Sequence, residues 1–374
     1  MNIGRKELHM NKIAAEEVAN MLNTWYRAIR RSDAEQSIRL FEQIKPLLAD
    51  MEEDQEVLIY YSLLELRHKI MLYDSRGKKI EQHDVSAGDS AASHMTSYYY
   101  YLFSGAYEVY KKNYEQAISF YKIAEKKLAH VHDEIEVAQF HDKVGKLYYY
   151  LGQNIVSLNH TRQAMEIFKG HGDHDMNLVS TYITMAGNYT EMGKYTEAEE
   201  YLTEAIHTVR KAGDHFKEMQ LLHNFALLYA AMDKSDKSIQ FLDIVLNDHA
   251  YAASDYYFNV VFLMIKELFK TGDYERAAAF YKEGKERSQS AANEIFDAKI
   301  DLLYAAYAGC GEQAVKDCKD NIEILFQAKQ YDSARELSLL TANVYRSKSL
   351  YKEAAHFFLE AIKAEEKMKK VEGM

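Results

Sequence analysis

The sequence predicts an all-α protein in which a small three-helix bundle precedes a long solenoid of helical hairpins. Two observations carry this. A four-residue motif of small and aromatic side chains recurs seven times at spacings of about 40 residues, and a period of that length marks stacked units that each bury an apolar face against the next. Helix breakers are also scarce. Pro46 is the one proline in 374 residues, beside 16 glycines, so long helices are permitted and sheet is disfavoured.

The first 74 residues contain no copy of the motif. They read as three amphipathic stretches, residues 14–31, 34–49 and 52–73, broken at Ser32-Asp33 and at Asp50, which are cap-forming residue types. The third stretch opens Met51-Glu52-Glu53-Asp54-Gln55-Glu56-Val57. Its acidic run reads as capping chemistry: Asp50 accepts from a free first-turn amide, Glu53 reaches back, and negative charge suits the positive end of the helix dipole. A bundle over residues 1–74 follows. Residues 75–94, with Gly77, Gly88 and several Ser, Asp and Lys, read as a linker on which the bundle can move against the hairpins of 95–374.

The first motif is Tyr114, Ala117, Tyr121, Ala124, and later copies open at Asn154, Tyr195, Ser235, Tyr274, Gly311 and Tyr351. Offsets of 3, 4 and 3 place the four positions on one helical stripe, where small side chains let a neighbouring helix approach and the aromatic fills the space beside it. A second amphipathic segment precedes each copy, as residues 178–192 precede Gly193-Lys194-Tyr195. The unit resembles the tetratricopeptide repeat, which implies a right-handed solenoid. Tyrosine clusters at 98–101 and 148–150 exceed what one buried face holds, so some of the 30 tyrosines are expected to line a groove.

Charge and composition exclude several functions. A formal net charge of −11 disfavours a nucleic-acid backbone and suits a basic partner. No apolar run is long enough to span a membrane and no leader pattern opens the chain, so a cytoplasmic protein is expected. Cys310 and Cys318, eight apart on what should be one helix, cannot bridge and read as reduced thiols. His130-Val131-His132 and His171-Gly172-Asp173-His174 lack metal-ligand spacing, and neither a phosphate loop nor a nucleophile elbow is present.

A more specific resemblance lies in Leu22-Asn23-Thr24-Trp25-Tyr26, in Met51-Glu52-Glu53-Asp54-Gln55 followed by Leu58-Ile59-Tyr60-Tyr61, in the downstream Arg67-His68, and in seven repeats behind them. Together these are similar to the Rap family of response-regulator aspartate phosphatases of Gram-positive bacteria. The resemblance implies a partner, a phosphorylated response regulator of the sporulation phosphorelay type, whose aspartyl phosphate is hydrolysed with help from Gln55. Glu53, Asp54 and Leu58 would contact that partner. An acyl phosphate beside Mg²⁺ lacks only an oriented water, which a neutral amide can hold without repelling phosphoryl oxygens. The Mg²⁺ belongs to the partner, and no cofactor is expected on this chain. The alternative within the family is capture of a DNA-binding response regulator of the competence type without chemistry. Trp25 and Tyr26 are further candidates for the partner surface, with Trp25 the better fit to the bundle core. The resemblance also implies inhibition by a secreted, re-imported Phr-type pentapeptide on the concave face of the repeats. Asn224 would hold the peptide backbone, and one repeat earlier Asn188 and Glu191 would also bind the peptide, Glu191 through a basic peptide side chain.

Overall fold

The computed structural model describes residues 12–81 and 94–372, all helical apart from turns, short extended connections and one isolated bridge between Ile13 and Met51. The bundle is α1 (Ala15–Arg30), α2 (Ala34–Leu47) and α3 (Gln55–Arg76). Asp33 caps α2 by accepting from the Gln36 amide. The cap expected at Asp50 lies instead at Asp54, whose carboxylate accepts from the Val57 amide at 3.0 Å. The reason is tertiary: the Asp50 carbonyl accepts from Ile13 N–H at 2.8 Å and Glu52 N–H donates back to Ile13 at 2.9 Å. That pairing holds residues 51–54 outside the helix. At its other end α3 runs past Tyr73 to Arg76, where Gly77 takes φ +61°, a left-handed cap suited to glycine. The expected linker therefore begins inside α3 and continues against α4. Ile80 N–H donates to the Tyr110 hydroxyl at 3.2 Å, and residues 82–93 lie outside the described residues.

Seven hairpins follow among the described residues: α4 (His94–Tyr110) with α5 (Tyr114–Leu128), α6 (Glu134–Tyr150) with α7 (Asn154–Lys169), α8 (Asp175–Glu191) with α9 (Tyr195–Ala212), and α10 (His215–Ala231) with α11 (Ser235–Leu246). A short α12 (His249–Ala252) intervenes before α13 (Tyr257–Thr271) with α14 (Tyr274–Ser290), α15 (Glu294–Tyr307) with α16 (Gly311–Gln327), and α17 (Tyr331–Ser347) with α18 (Tyr351–Glu372). The first motif residue opens the second helix of every pair. The next motif position is buried throughout, from Ala117 to Ala354. Where serine replaces alanine there, its hydroxyl donates across the hairpin, Ser157 to the Gly145 carbonyl at 2.7 Å and Ser238 to the Ala226 carbonyl at 2.9 Å. Close approach explains Gly105, where an added Cβ would lie 2.5 Å from the Tyr121 ring. Two degenerate copies slip by one residue: Ile322 is buried beside a half-buried Asn321, and Phe357 beside Phe358. Cys310 stands just before α16 and is exposed, whereas Cys318 is buried within it.

The solenoid completes one superhelical turn. Lys112, after α4, donates to the Gln330 side chain just before α17 at 2.6 Å, and α5 touches α18. The bundle is seated on the early hairpins, and one apolar cluster runs from Val18 and Trp25 through Phe103 to Phe140 and Leu151. A second cluster begins at Leu158 and continues to Ala364. The core thus divides inside the repeats, not at the linker.

Candidate functional site

The first part of the site is the tip of the bundle. Capping by Asp54 starts α3 at Gln55, leaving the carboxamide exposed in the first turn beside exposed Glu53 and Glu56. Leu58, one turn on, is 37% exposed. Gln55, Glu53 and Leu58 therefore share an accessible edge, while Asp54 spends one carboxylate oxygen on its cap. The other two candidates are elsewhere. Trp25 is fully buried, its indole N–H donating to the Ser37 hydroxyl at 2.9 Å, with Phe41, Tyr61 and His68 around its ring. Tyr26 is buried against α6, where its hydroxyl donates to Glu136. Arg67 is buried too, donating to Gln139.

The second part is a cavity of about 1010 Å³ on the concave face, walled by α6, α8, α10, α13 and α17. Asn224 and Glu191 both line it. One Asn224 amide hydrogen donates to the Gln220 carbonyl at 2.7 Å, leaving a second hydrogen and the side-chain oxygen for an extended ligand backbone. Glu191 has no hydrogen bond or ion pair to a described residue; burial raises its carboxyl above the usual range, with Arg335 opposing and Glu336 adding to the shift. Gly187 is required beside it, since a Cβ there would meet the Tyr149 ring at 2.8 Å.

Asn188 does not line this cavity. It is fully buried, its amide donating to the Ser157 hydroxyl and to the Thr184 carbonyl, both at 2.8 Å. Asparagine at that point of α8 ties two hairpins together. Sequence reasoning missed Asn343 on α17, which lines the cavity and donates to the Leu339 carbonyl at 2.9 Å in the manner of Asn224. It also missed Lys266, paired with Glu336 at 3.0 Å across the cavity wall. Nothing local distinguishes these residues, because only closure of the superhelix sets α17 opposite α8 and α10. Tyr149 meets the expectation that some clustered tyrosines face a groove, whereas Tyr98 and Tyr99 are buried under the bundle.

The bundle is held to the repeats by polar clasps. Arg30 meets Asp133 at 2.8 Å, Arg76 meets Asp214 at 3.1 Å, and Asp74 meets Lys146 at 2.7 Å. Against the cost of its burial, Lys146 and Lys143 hold Asp74 well below the usual carboxylate range.

Residues 12–73 match the family model described as response regulator aspartate phosphatase H, N terminal. Residues 136–207 and 177–246 match the tetratricopeptide repeat. The chain is 52% identical to Regulatory protein RapG of Bacillus subtilis (strain 168) over 97% of its length and 100% of the relative's. It is 41% identical to Regulatory protein RapK of the same organism over 98% and 100%. A crystal structure of a Rap protein complexed with competence and sporulation factor is similar with a TM-score of 0.86 at 27% identity, covering 96% of this chain and 99% of that one. The apo form of RapI gives 0.63 at 25% identity, covering 95% and 99%. With near-complete coverage by such relatives and the bundle matched by its own model, this chain belongs to the Rap family of regulatory proteins.

Proposed function

We propose that the protein is a peptide-gated phosphatase of an aspartyl-phosphorylated response regulator, active through its bundle and switched off by a short peptide in the groove. The observation that carries this reading is the presence in one chain of an exposed Gln55 opening α3 and a concave groove bearing Asn224 and Glu191. Gln55 supplies a neutral donor and acceptor that orients water toward an acyl phosphate, whose Mg²⁺ the partner holds. Glu53, Asp54 and Leu58 contact that partner. In the groove Asn224 holds the peptide backbone and Glu191 takes a basic side chain of a Phr-type pentapeptide. Asn188, buried in the hairpin packing, supports the groove from behind.

The seated bundle fits the inhibited arrangement. Tyr26, Arg30 and Arg67 are engaged with α6, and the higher TM-score to the complexed Rap protein than to apo RapI supports the same view. Activity then requires the bundle to leave the repeats. A cytoplasmic location belongs to this reading; no described helix is long and apolar enough to cross a membrane.

A second reading, capture of a DNA-binding response regulator without chemistry, is favoured by one observation. The relatives at 52% and 41% identity are named regulatory proteins, while those named response regulator aspartate phosphatase I and H are 27% and 28% identical. The deciding experiment follows phosphate loss from radiolabelled response regulators with wild type and Gln55→Ala. Gln55-dependent loss supports the phosphatase, and a stable complex without acceleration supports capture. Failure of every regulator to bind would remove both.

A further inference from the structure

Closure of the solenoid leaves a second cavity, apart from the peptide groove and sharing no lining residue with it. Its volume is about 480 Å³, and its walls come from the tail of α3, the end of α4, the starts of α13 and α15, and Gln330 before α17. The size suits a small ligand, since such pockets run from roughly 300 to 1,000 Å³.

Its charge is one-sided. Lys79, Lys111, Lys112 and Lys299 line it, and Asp255 is the one carboxylate among its described lining residues. Lys111 is taken by Glu108 at 2.9 Å, and Lys112 by Gln330 with Asp332 at 3.9 Å. Lys79 and Lys299 have no hydrogen bond or ion pair to a described residue. Lys299 is half-buried, with its ammonium over the Phe262 ring at 5.8 Å. Burial and then Lys112 draw its pKa down to about 8, against the opposing pull of Asp332 and Glu336. A ring face attracts the charge but accepts none of its three N–H donors in a conventional hydrogen bond. A half-buried ammonium without a protein acceptor is partly stripped of water, a cost that a bound oxyanion recovers.

The rest of the wall is aromatic. Phe258 and Phe296 pack with ring centroids 4.7 Å apart, and Phe262 and Tyr110 complete the surface. Asn259 is exposed at the rim. An anion alone would use the lysines and leave these rings wet. We propose that this seam cavity binds a phosphate ester with a planar apolar body, of the size and charge of a nucleoside monophosphate, its oxyanion on Lys299 and Lys79 and its body against Phe258 and Phe262. Because the walls belong to the first hairpin, the bundle's tail and the fifth and sixth hairpins, the ligand clamps the closed superhelix and stabilises it by mass action.

The test is calorimetric titration of the full chain at constant ionic strength with adenosine 5′-monophosphate, pyrophosphate and adenosine. The expected result is saturable one-to-one binding of the monophosphate, at least tenfold weaker binding of pyrophosphate, and none of adenosine. Lys299→Met should weaken the monophosphate at least tenfold. Lys79→Gln, at an exposed position that leaves the fold intact, should weaken it several-fold and decides the matter if Lys299→Met does not fold. Absence of monophosphate binding, equal affinity for pyrophosphate, or affinity unchanged in the variants overturns the proposal.

Discussion

Tyr26 on α1 donates its hydroxyl proton to Glu136 on α6 across 2.7 Å, joining residues 110 apart in the chain. Glu136 is fully buried and also meets Arg30 at 3.3 Å and the Tyr99 hydroxyl at 3.4 Å. Burial raises its carboxyl above the usual range, with Arg30 and Tyr26 pulling the other way. Tyr26→Phe removes a donor from a carboxylate that stays buried, which should cost the seated arrangement about 1–3 kcal/mol. Distances between fluorophores on α2 and α14 should lengthen or broaden, and the urea midpoint should fall. A variant with unchanged distances and midpoint would show that this bond does not hold the bundle.

Asn188 and Asn224 should behave in opposite ways. Asn188→Ala removes two buried hydrogen bonds, those accepted by the Ser157 hydroxyl and the Thr184 carbonyl, at a cost of about 1–3 kcal/mol. Asn224→Ala should leave the melting temperature within a degree or two of wild type and weaken an inhibitory pentapeptide at least tenfold, since the lost groups face the groove. Fluorescence polarisation with labelled peptide alongside thermal melts reads both. The reverse pattern would mean that Asn188 is the peptide contact.

Glu191 offers a charge-swap test. Glu191→Lys should abolish binding of a pentapeptide with a basic second residue and restore binding when that residue is made acidic. If the swapped pair binds no better than the mismatched one, Glu191 does not read that side chain.

Stability should fall as acid is added below neutrality. His68, packed on Trp25 and Phe41, and His223 are both buried, and burial lowers each to about 4, with Lys78 adding to the shift at His68 and Glu65 opposing. An unfolded histidine titrates near 6.5, so between about 6.5 and 4 the unfolded chain binds protons that the folded chain does not. The contribution is complete above 6.5 and is lost as pH falls through that window, on the order of 3 kcal/mol per histidine. Glu136 acts with the opposite sign, because a carboxyl raised in the folded state favours folding as it takes up its proton. Urea midpoints measured from pH 7.5 to 4.5 should decline, and more gently in His68→Gln. A flat profile would contradict the buried neutral histidines.

The capping chemistry was legible only in part. Asp50 and Asp54 are both competent caps by residue type, and Ile13, pairing with residues 50–52, settles the choice. Asn188, Glu191 and Asn224 are alike polar residues on first helices of hairpins, yet a turn of helix separates a buried tie from a groove wall. Tyr26 next to Trp25 reads as a surface aromatic until α6 covers it.

What the sequence determined by itself is the repeat: seven second helices open at the residue where each motif begins, because helix periodicity and small-residue spacing are properties of neighbours in the chain. What only the tertiary structure decided is which surfaces meet once those helices stack. The Lys112 contact with Gln330 spans 218 positions and lies where the superhelix closes. Groove, clasps and seam cavity all arise there, since small rotations between successive hairpins add up over a full superhelical turn and no local pattern records their sum.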